Sequence, residues 1–204
     1  MKTRKIDEYR IGDIRKILRA HAPRTQPLGD PTNHAAVAMI LREGEPGCLE
    51  TLFIERVEHP QDPWSGHMAF PGGRMEPDDE SLESVARRET VEEIGLKLDP
   101  EDQLGRLDDL DGARWRPFTL WVTPFVYCCP EQLELTLGTE VADVVWVPLS
   151  YLADPRNVQP YRLHTGPADL VLPSFQYGSY TIWGITYRML ASFFQLLDIH
   201  LPPE

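Results

Sequence analysis

The sequence predicts an α/β fold, an α/β/α sandwich built on a central mixed sheet, and three observations carry that prediction. Apolar runs of strand length alternate with stretches of helical period. Glycine and proline clusters separate them. No internal repeat or low-complexity tract interrupts the pattern. At 204 residues, 42% hydrophobic and 25% charged, the chain suits one globular domain with a substantial core. Residues 1–30 are expected to form an N-terminal helix and linker, and 31–204 the body of that single domain.

The elements follow in order. Ile6, Tyr9, Ile14, Ile17 and Leu18 give residues 6–20 an amphipathic helical pattern, and Pro23, Pro27, Gly29 and Pro31 end it. Residues 35–41 and 49–56 are apolar enough for a strand pair, joined by the turn around Glu43-Gly44-Glu45-Pro46-Gly47. A helix over 80–94 comes next, with Asp78 and Asp79 suited to capping its start and Gly95 to the position past its end. Residues 104–107, 120–129, 133–137 and 141–147 read as further strands, and 184–197 as a closing helix. Trp121 and Trp146 fall in predicted strands and Trp183 at the last helix's entrance, so all three are expected in the core.

Charge and cysteines exclude several classes. A net charge of −12 repels nucleic acid and anionic membrane surfaces. Residues 1–8 lack an apolar signal core, and no stretch is long and apolar enough to cross a bilayer, so the expected location is cytoplasmic. Cys48, Cys128 and Cys129 have neither a disulfide-framework nor a zinc-site spacing and read as reduced packing residues.

The chemistry concentrates in residues 72–96. Glu89, Glu92 and Glu93 stand at offsets of zero, three and four, so a helix projects them along one side. At about 100° per residue, Glu89 and Glu93 fall on the stripe of Leu82, Val85 and Ala86, a partly apolar face. Like charges there repel, lose hydration, and sit at the unfavourable end of the helix dipole. A hard divalent cation with oxygen ligands, Mg²⁺ or Mn²⁺, resolves all three penalties. Pro71-Gly72-Gly73 can bring backbone close to a ligand. Arg88 can pair with a carboxylate of its own helix or of the preceding turn and brace the glutamates.

These residues resemble the Nudix hydrolase box: Gly, five residues, Glu, seven residues, Arg-Glu, a hydrophobic residue, any residue, Glu-Glu, any residue, Gly, a hydrophobic residue. Gly73, Arg88-Glu89, Glu92-Glu93, Gly95 and Leu96 match. Thr90 replaces a hydrophobic residue, and six residues rather than five separate Gly73 from Glu80. That insertion resembles the branch of the family that hydrolyses coenzyme A. Leu52-Phe53-Ile54-Glu55-Arg56 with Gly66 and Phe70-Pro71-Gly72-Gly73 is similar to the branch's upstream segment, although Trp64-Ser65 replace its usual His-Pro and His67 its usual Gln. Residues 182–190, Ile-Trp-Gly-Ile-Thr-Tyr-Arg-Met-Leu, resemble the opening of its last helix.

The resemblance implies the same α/β/α fold, a small nucleotide-type substrate, and often a homodimer. It assigns Glu89, Glu92 and Glu93 to metal and places the Gly73 backbone against it. The general base is open among Glu140, just ahead of the 141–147 strand, Glu92, His34 and His67. Arg56 and Arg74 are candidates to grip phosphate. Trp115, between Arg114 and Arg116 in a polar loop, is a candidate to meet the base or phosphate. The expected activity is metal-dependent pyrophosphohydrolysis of coenzyme A or a derivative. The alternatives are another Nudix substrate, such as ADP-ribose, a dinucleoside polyphosphate or a nucleoside triphosphate, and a non-catalytic nucleotide-binding module.

Overall fold

A strand covered on both sides must be apolar at odd and even positions alike. The first strand, β1 (His34–Glu43), is built this way: Ala36, Ala38 and Ile40 face one core, Ala35, Met39 and Leu41 the other. The computed structural model describes residues 5–45, 47–58, 66–112, 119–129, 134–164 and 169–203.

Around β1 the sheet grows in both directions. β2 (Leu49–Arg56) pairs antiparallel with its second half, and β3 (Met68–Ala69) adds to the edge of β2. β4 (Gly72–Arg74) pairs with its first half, in the register Ala35↔Arg74, Ala36↔Gly73, Val37↔Gly72. On the other side, β5 (Gln103–Arg106) and β6 (Leu110–Asp111) both pair with β7 (Trp121–Cys128). β7 runs parallel to β1 from His34↔Trp121 to Leu41↔Cys128, which makes the sheet mixed. β8 (Val141–Pro148) completes the eight strands by pairing antiparallel with β2.

Helices close both faces. α1 (Ile11–Ala20) sends Ile14 and Leu18 into the core that contains Met39, Phe53 and Val126. On the opposite face α2 (Leu82–Ile94) packs Val85, Ala86 and Ile94 against Ala36, Ala38, Ile40, Leu52 and Ile54. A short α3 (Leu149–Leu152) follows β8, and α4 (Gly184–Leu196) lays Met189, Leu190, Phe193 and Phe194 beside α1's face of the sheet. The expected α/β/α sandwich is therefore the observed one.

Four details differ from the sequence expectation. The first helix is broken into a 3₁₀ turn at Ile6–Glu8 and α1, and the Tyr9 hydroxyl between them donates to the Leu197 carbonyl at 2.9 Å. The strand expected over 133–137 does not form across 134–137, and Leu133 lies outside the described residues. Amides of this stretch are drawn instead to the end of α2, where Thr136 N–H donates to Ile94 O at 2.9 Å and Gly138 N–H to Glu93 O at 2.8 Å. Both bonds satisfy carbonyls that the helix leaves open. Trp121, Trp146 and Trp183 are half-buried rather than core. Their amphipathic rings serve at the boundary, with the Arg42 guanidinium 4.0 Å over the Trp146 ring.

The fourth difference is a second sheet. β9 (Val158–His164), β10 (Asp169–Tyr177) and β11 (Tyr180–Trp183) form an antiparallel three-stranded meander. Phe175 and Ile182 anchor it in the core shared with α4, and the Tyr180 hydroxyl donates to Asp143 of β8.

Candidate functional site

The site is assembled from β4, α2 and the end of β2. Ser81, not Asp78 or Asp79, caps α2: its Oγ accepts the Ser84 N–H at 3.1 Å, and the Ser84 hydroxyl accepts the Ser81 N–H at 3.0 Å. Gly95 ends the helix at φ 69°, as its position in the sequence predicts, donating to Val91 O at 2.9 Å. Thr90, the departure from a hydrophobic residue, is buried because its hydroxyl donates to Ala86 O at 2.7 Å.

Asp79 is freed from capping to hold Arg88. Its carboxylate accepts from Arg88 Nε at 3.1 Å and Nη2 at 2.9 Å, and from the Glu76 amide at 2.8 Å. The Arg88 hydrogen bond holds Asp79 below the usual carboxylate range, and the Asp79 bond holds Arg88 above the usual guanidinium range. Arg88 also donates to the Arg74 carbonyl at 3.2 Å, to Glu89 Oε1 at 2.9 Å and to Glu92 Oε2 at 3.3 Å. One guanidinium thus ties the loop before the helix to the glycine strand and to two of the three glutamates.

The helix divides those glutamates as the wheel requires. Glu93 is 5% exposed, while the Glu92 side chain is 55% exposed. Glu93 Oε2 accepts the Gly72 N–H at 2.9 Å and Oε1 lies 3.5 Å from Arg56 Nη1. Burial pushes its carboxyl up to about 8 despite those two partners. Burial also raises Glu89, against the opposing pull of Arg88. Gly73 leaves room for this packing, because a Cβ there would displace the Glu89 carboxylate. At Gly72 (φ 155°) a Cβ would overlap the Ala36 carbonyl oxygen.

Other predicted residues divide into those the fold gathers and those it does not. Arg56 bridges Glu93 and Glu140, lying 3.6 Å from the latter, so Glu140 joins the cluster from the head of β8. The Val57 amide donates to the Glu140 carbonyl at 2.9 Å and fixes that approach. Arg74 directs Nη1 to the Thr32 carbonyl at 3.0 Å. His34 is buried at the start of β1 and its Nδ1 has no partner among the described residues. His67 sits across from Arg56, whose N–H donates to its carbonyl at 3.2 Å. Trp115, with Arg114 and Arg116, and Trp64 and Ser65 lie outside the described residues. The expected pairing of Arg88 with a carboxylate of the preceding turn is observed, but the sequence left open which one, because an Asp before a helix reads first as a cap. Asp79's spacing of nine residues before Arg88 gives no periodic cue.

Among the described residues no three His, Cys, Asp or Glu side chains stand together as a ready metal site, and the Glu92 side chain is open to solvent. The donor chemistry nevertheless fits a hard cation. Two desolvated carboxylates, Glu89 and Glu93, face a glycine backbone with too little positive charge to compensate them.

A glycine strand backing an arginine-braced acidic helix on an α/β/α sandwich defines a recognisable class of site. Comparison with known proteins gives the class a family. The NUDIX domain matches residues 32–165, and the chain belongs to the Nudix family. Mitochondrial coenzyme A diphosphatase NUDT8 of Mus musculus is 32% identical over 155 residues, covering 74% of this chain and 70% of that protein. A Nudix hydrolase, NudL, of Photorhabdus laumondii is 29% identical over 188 residues, 87% of this chain and 91% of its own. A Schizosaccharomyces pombe protein, C14C4.10c, is 34% identical over 160 residues, 69% of this chain; the match spans about half of that protein, 48%. The crystal structure of a MutT/nudix family protein from Enterococcus faecalis shares the fold, with a TM-score of 0.55 at 19% identity, covering 94% of this chain and 71% of that one. The enzyme class that follows from the family is a hydrolase of phosphoanhydride bonds. No helix among the described residues is long and apolar enough to cross a membrane.

Proposed function

We propose that the chain hydrolyses the diphosphate of coenzyme A or a close derivative, with Mg²⁺ or Mn²⁺ held by Glu89, Glu92 and Glu93 beside the Gly73 backbone. The observation that carries the proposal is Glu93, a buried carboxylate whose protein partners leave it under-compensated next to Arg56 and Glu140. When bound, the cation neutralises charge on the bridging phosphates. Arg56, which lies between Glu93 and exposed Glu140, is the residue assigned to grip a phosphate oxygen. Glu140, open to solvent at the same spot, is the general base for the attacking water. Arg88 is a positioning residue that holds Glu89 and Glu92. Arg74 and Trp115 complete the expected substrate contacts.

The coenzyme A assignment rests on the activity for which the mouse relative is named and on the upstream and downstream segments resembling that branch. His67, where that branch usually shows Gln, favours a second reading with another nucleoside diphosphate derivative. The test is turnover of coenzyme A, ADP-ribose, a dinucleoside polyphosphate and a nucleoside triphosphate with Mg²⁺ or Mn²⁺. Coenzyme A is expected to rank first, yielding adenosine 3',5'-bisphosphate and the phosphopantetheine half. A higher rank for ADP-ribose selects the second reading, and no turnover of any substrate overturns both. A homodimer and a cytoplasmic location belong to the same proposal; sedimentation and cell fractionation check them, the mouse relative being mitochondrial by name.

A further inference from the structure

Three aromatic rings drawn from three separate parts of the chain meet where the backbone of one of them, His67, pairs with Arg56. Trp183 ends β11 at the entrance to α4, Tyr161 lies within β9, and His67 immediately precedes β3. The Trp183 and Tyr161 rings stack with centroids 4.3 Å apart and planes at 25°, and His67 meets Trp183 edge-on at 4.7 Å and 70°. Each of the three residues is half-buried. Ring pairs that serve the core, Phe53 with Phe70 and Phe175 with Tyr187, are no more than 2% exposed.

One member of this half-buried stack adjoins the chemistry through its backbone. The His67 carbonyl accepts the Arg56 N–H at 3.2 Å, so one strand spacing, about 4.8 Å, separates its backbone from that of the residue contacting Glu93 and Glu140. Apolar ring surface beside a diphosphate site is suited to a planar base, since aromatic stacking contributes without needing a charged partner.

We infer that His67, Trp183 and Tyr161 form the platform on which the purine base of the substrate stacks while its diphosphate lies at Arg56 and the glutamates. The inference rests on the reading of the substrate as a nucleoside diphosphate derivative. It makes β9–β11, a sheet outside the main sandwich, part of the specificity apparatus.

Calorimetric titration with AMP and with ribose 5-phosphate, which carries the phosphate without the base, tests this directly and needs no turnover. AMP is expected to bind the unaltered protein more tightly than ribose 5-phosphate. Tyr161→Ala and, independently, His67→Ala are expected to weaken AMP about tenfold and leave ribose 5-phosphate unchanged, whereas Tyr161→Phe keeps the affinity of the unaltered protein for AMP. In turnover the same alanine variants are expected to raise KM with kcat nearly constant. Equal weakening of both ligands means the rings only support the fold and overturns the platform, as does unchanged AMP affinity in both variants. If AMP binds the unaltered protein no better than ribose 5-phosphate, the platform fails, while the substrate panel still decides the hydrolase reading by itself.

Discussion

The 72–96 segment and the β9–β11 meander are built on opposite principles. The segment puts two acids into a desolvated position, crowds Glu89 against Gly73 and relies on Arg88 to restrain the charges. The meander has ordinary strand pairing over Ser174↔Trp183 to Tyr177↔Tyr180 and an apolar anchor in Phe175 and Ile182. Stability is sacrificed in one and gained in the other. A substitution that relieves the segment should therefore stabilise the protein and disable it, while substitutions at the meander's apolar anchor, Phe175 and Ile182, should lower stability and activity together.

Glu93→Gln is the largest expected break in that comparison. Its amide oxygen can still accept from Gly72, yet the charge is gone, and kcat is expected to fall by about 10²–10³. The melting temperature without metal is expected to rise by a few degrees. The sign follows from linkage: the folded carboxyl at about 8 holds its proton more firmly than the unfolded one at the ordinary 4.5. Stability of the metal-free protein therefore falls as pH rises through that window. Urea unfolding from pH 5 to 8 should show this decline flattened in the variant. A steeper decline in Glu93→Gln would sink the assignment of Glu93 as the desolvated acid.

Gly73→Ala comes next. The added methyl must displace the Glu89 carboxylate, which is near enough to solvent to swing out, so the fold should survive while kcat drops about 100-fold. Gly72→Ala differs, because its methyl meets the Ala36 backbone oxygen, and it should lower the melting temperature itself. Circular dichroism and kinetics on the two variants separate these outcomes. Arg88→Lys is expected to be milder, about tenfold in kcat, since a lysine cannot reproduce the fork that joins Asp79 to Glu89. Full activity in Arg88→Lys would show that the brace is dispensable.

The same contrast explains what was legible in the sequence. Local spacing dictated that Glu89 and Glu93 face the sheet, that Gly95 ends the helix and that Arg88 reaches both the turn and the helix, because each depends on residues within two or three helical turns. The strands β1, β2, β7 and β8 were visible from apolar length alone. The meander was not, since Pro160 and Pro173 stand in its strands and Arg162, Ser174 and Gln176 dilute their apolar pattern. The stretch expected as a strand at 133–137 misled for the opposite reason. Its apolar residues alternate, but the chain brings its amides to the carbonyls of α2, a tertiary demand that no local pattern announces. The meeting of Tyr161, Trp183 and His67 is equally non-local.

Tyr180→Phe marks the small end of the scale and sharpens the comparison from the meander's side. The phenol donates to Asp143, holding that carboxylate below its usual range, yet both groups are near solvent, where water replaces a lost partner readily. The expected cost is within about 0.5 kcal/mol, with kcat unchanged, because the bond joins β11 to β8 without touching the glutamates. Denaturant unfolding measures the first and turnover the second. A large fall in kcat with stability intact would mean that the β11–β8 joint sets the geometry of the glutamate cluster, and the two regions would then have to be described as one functional unit.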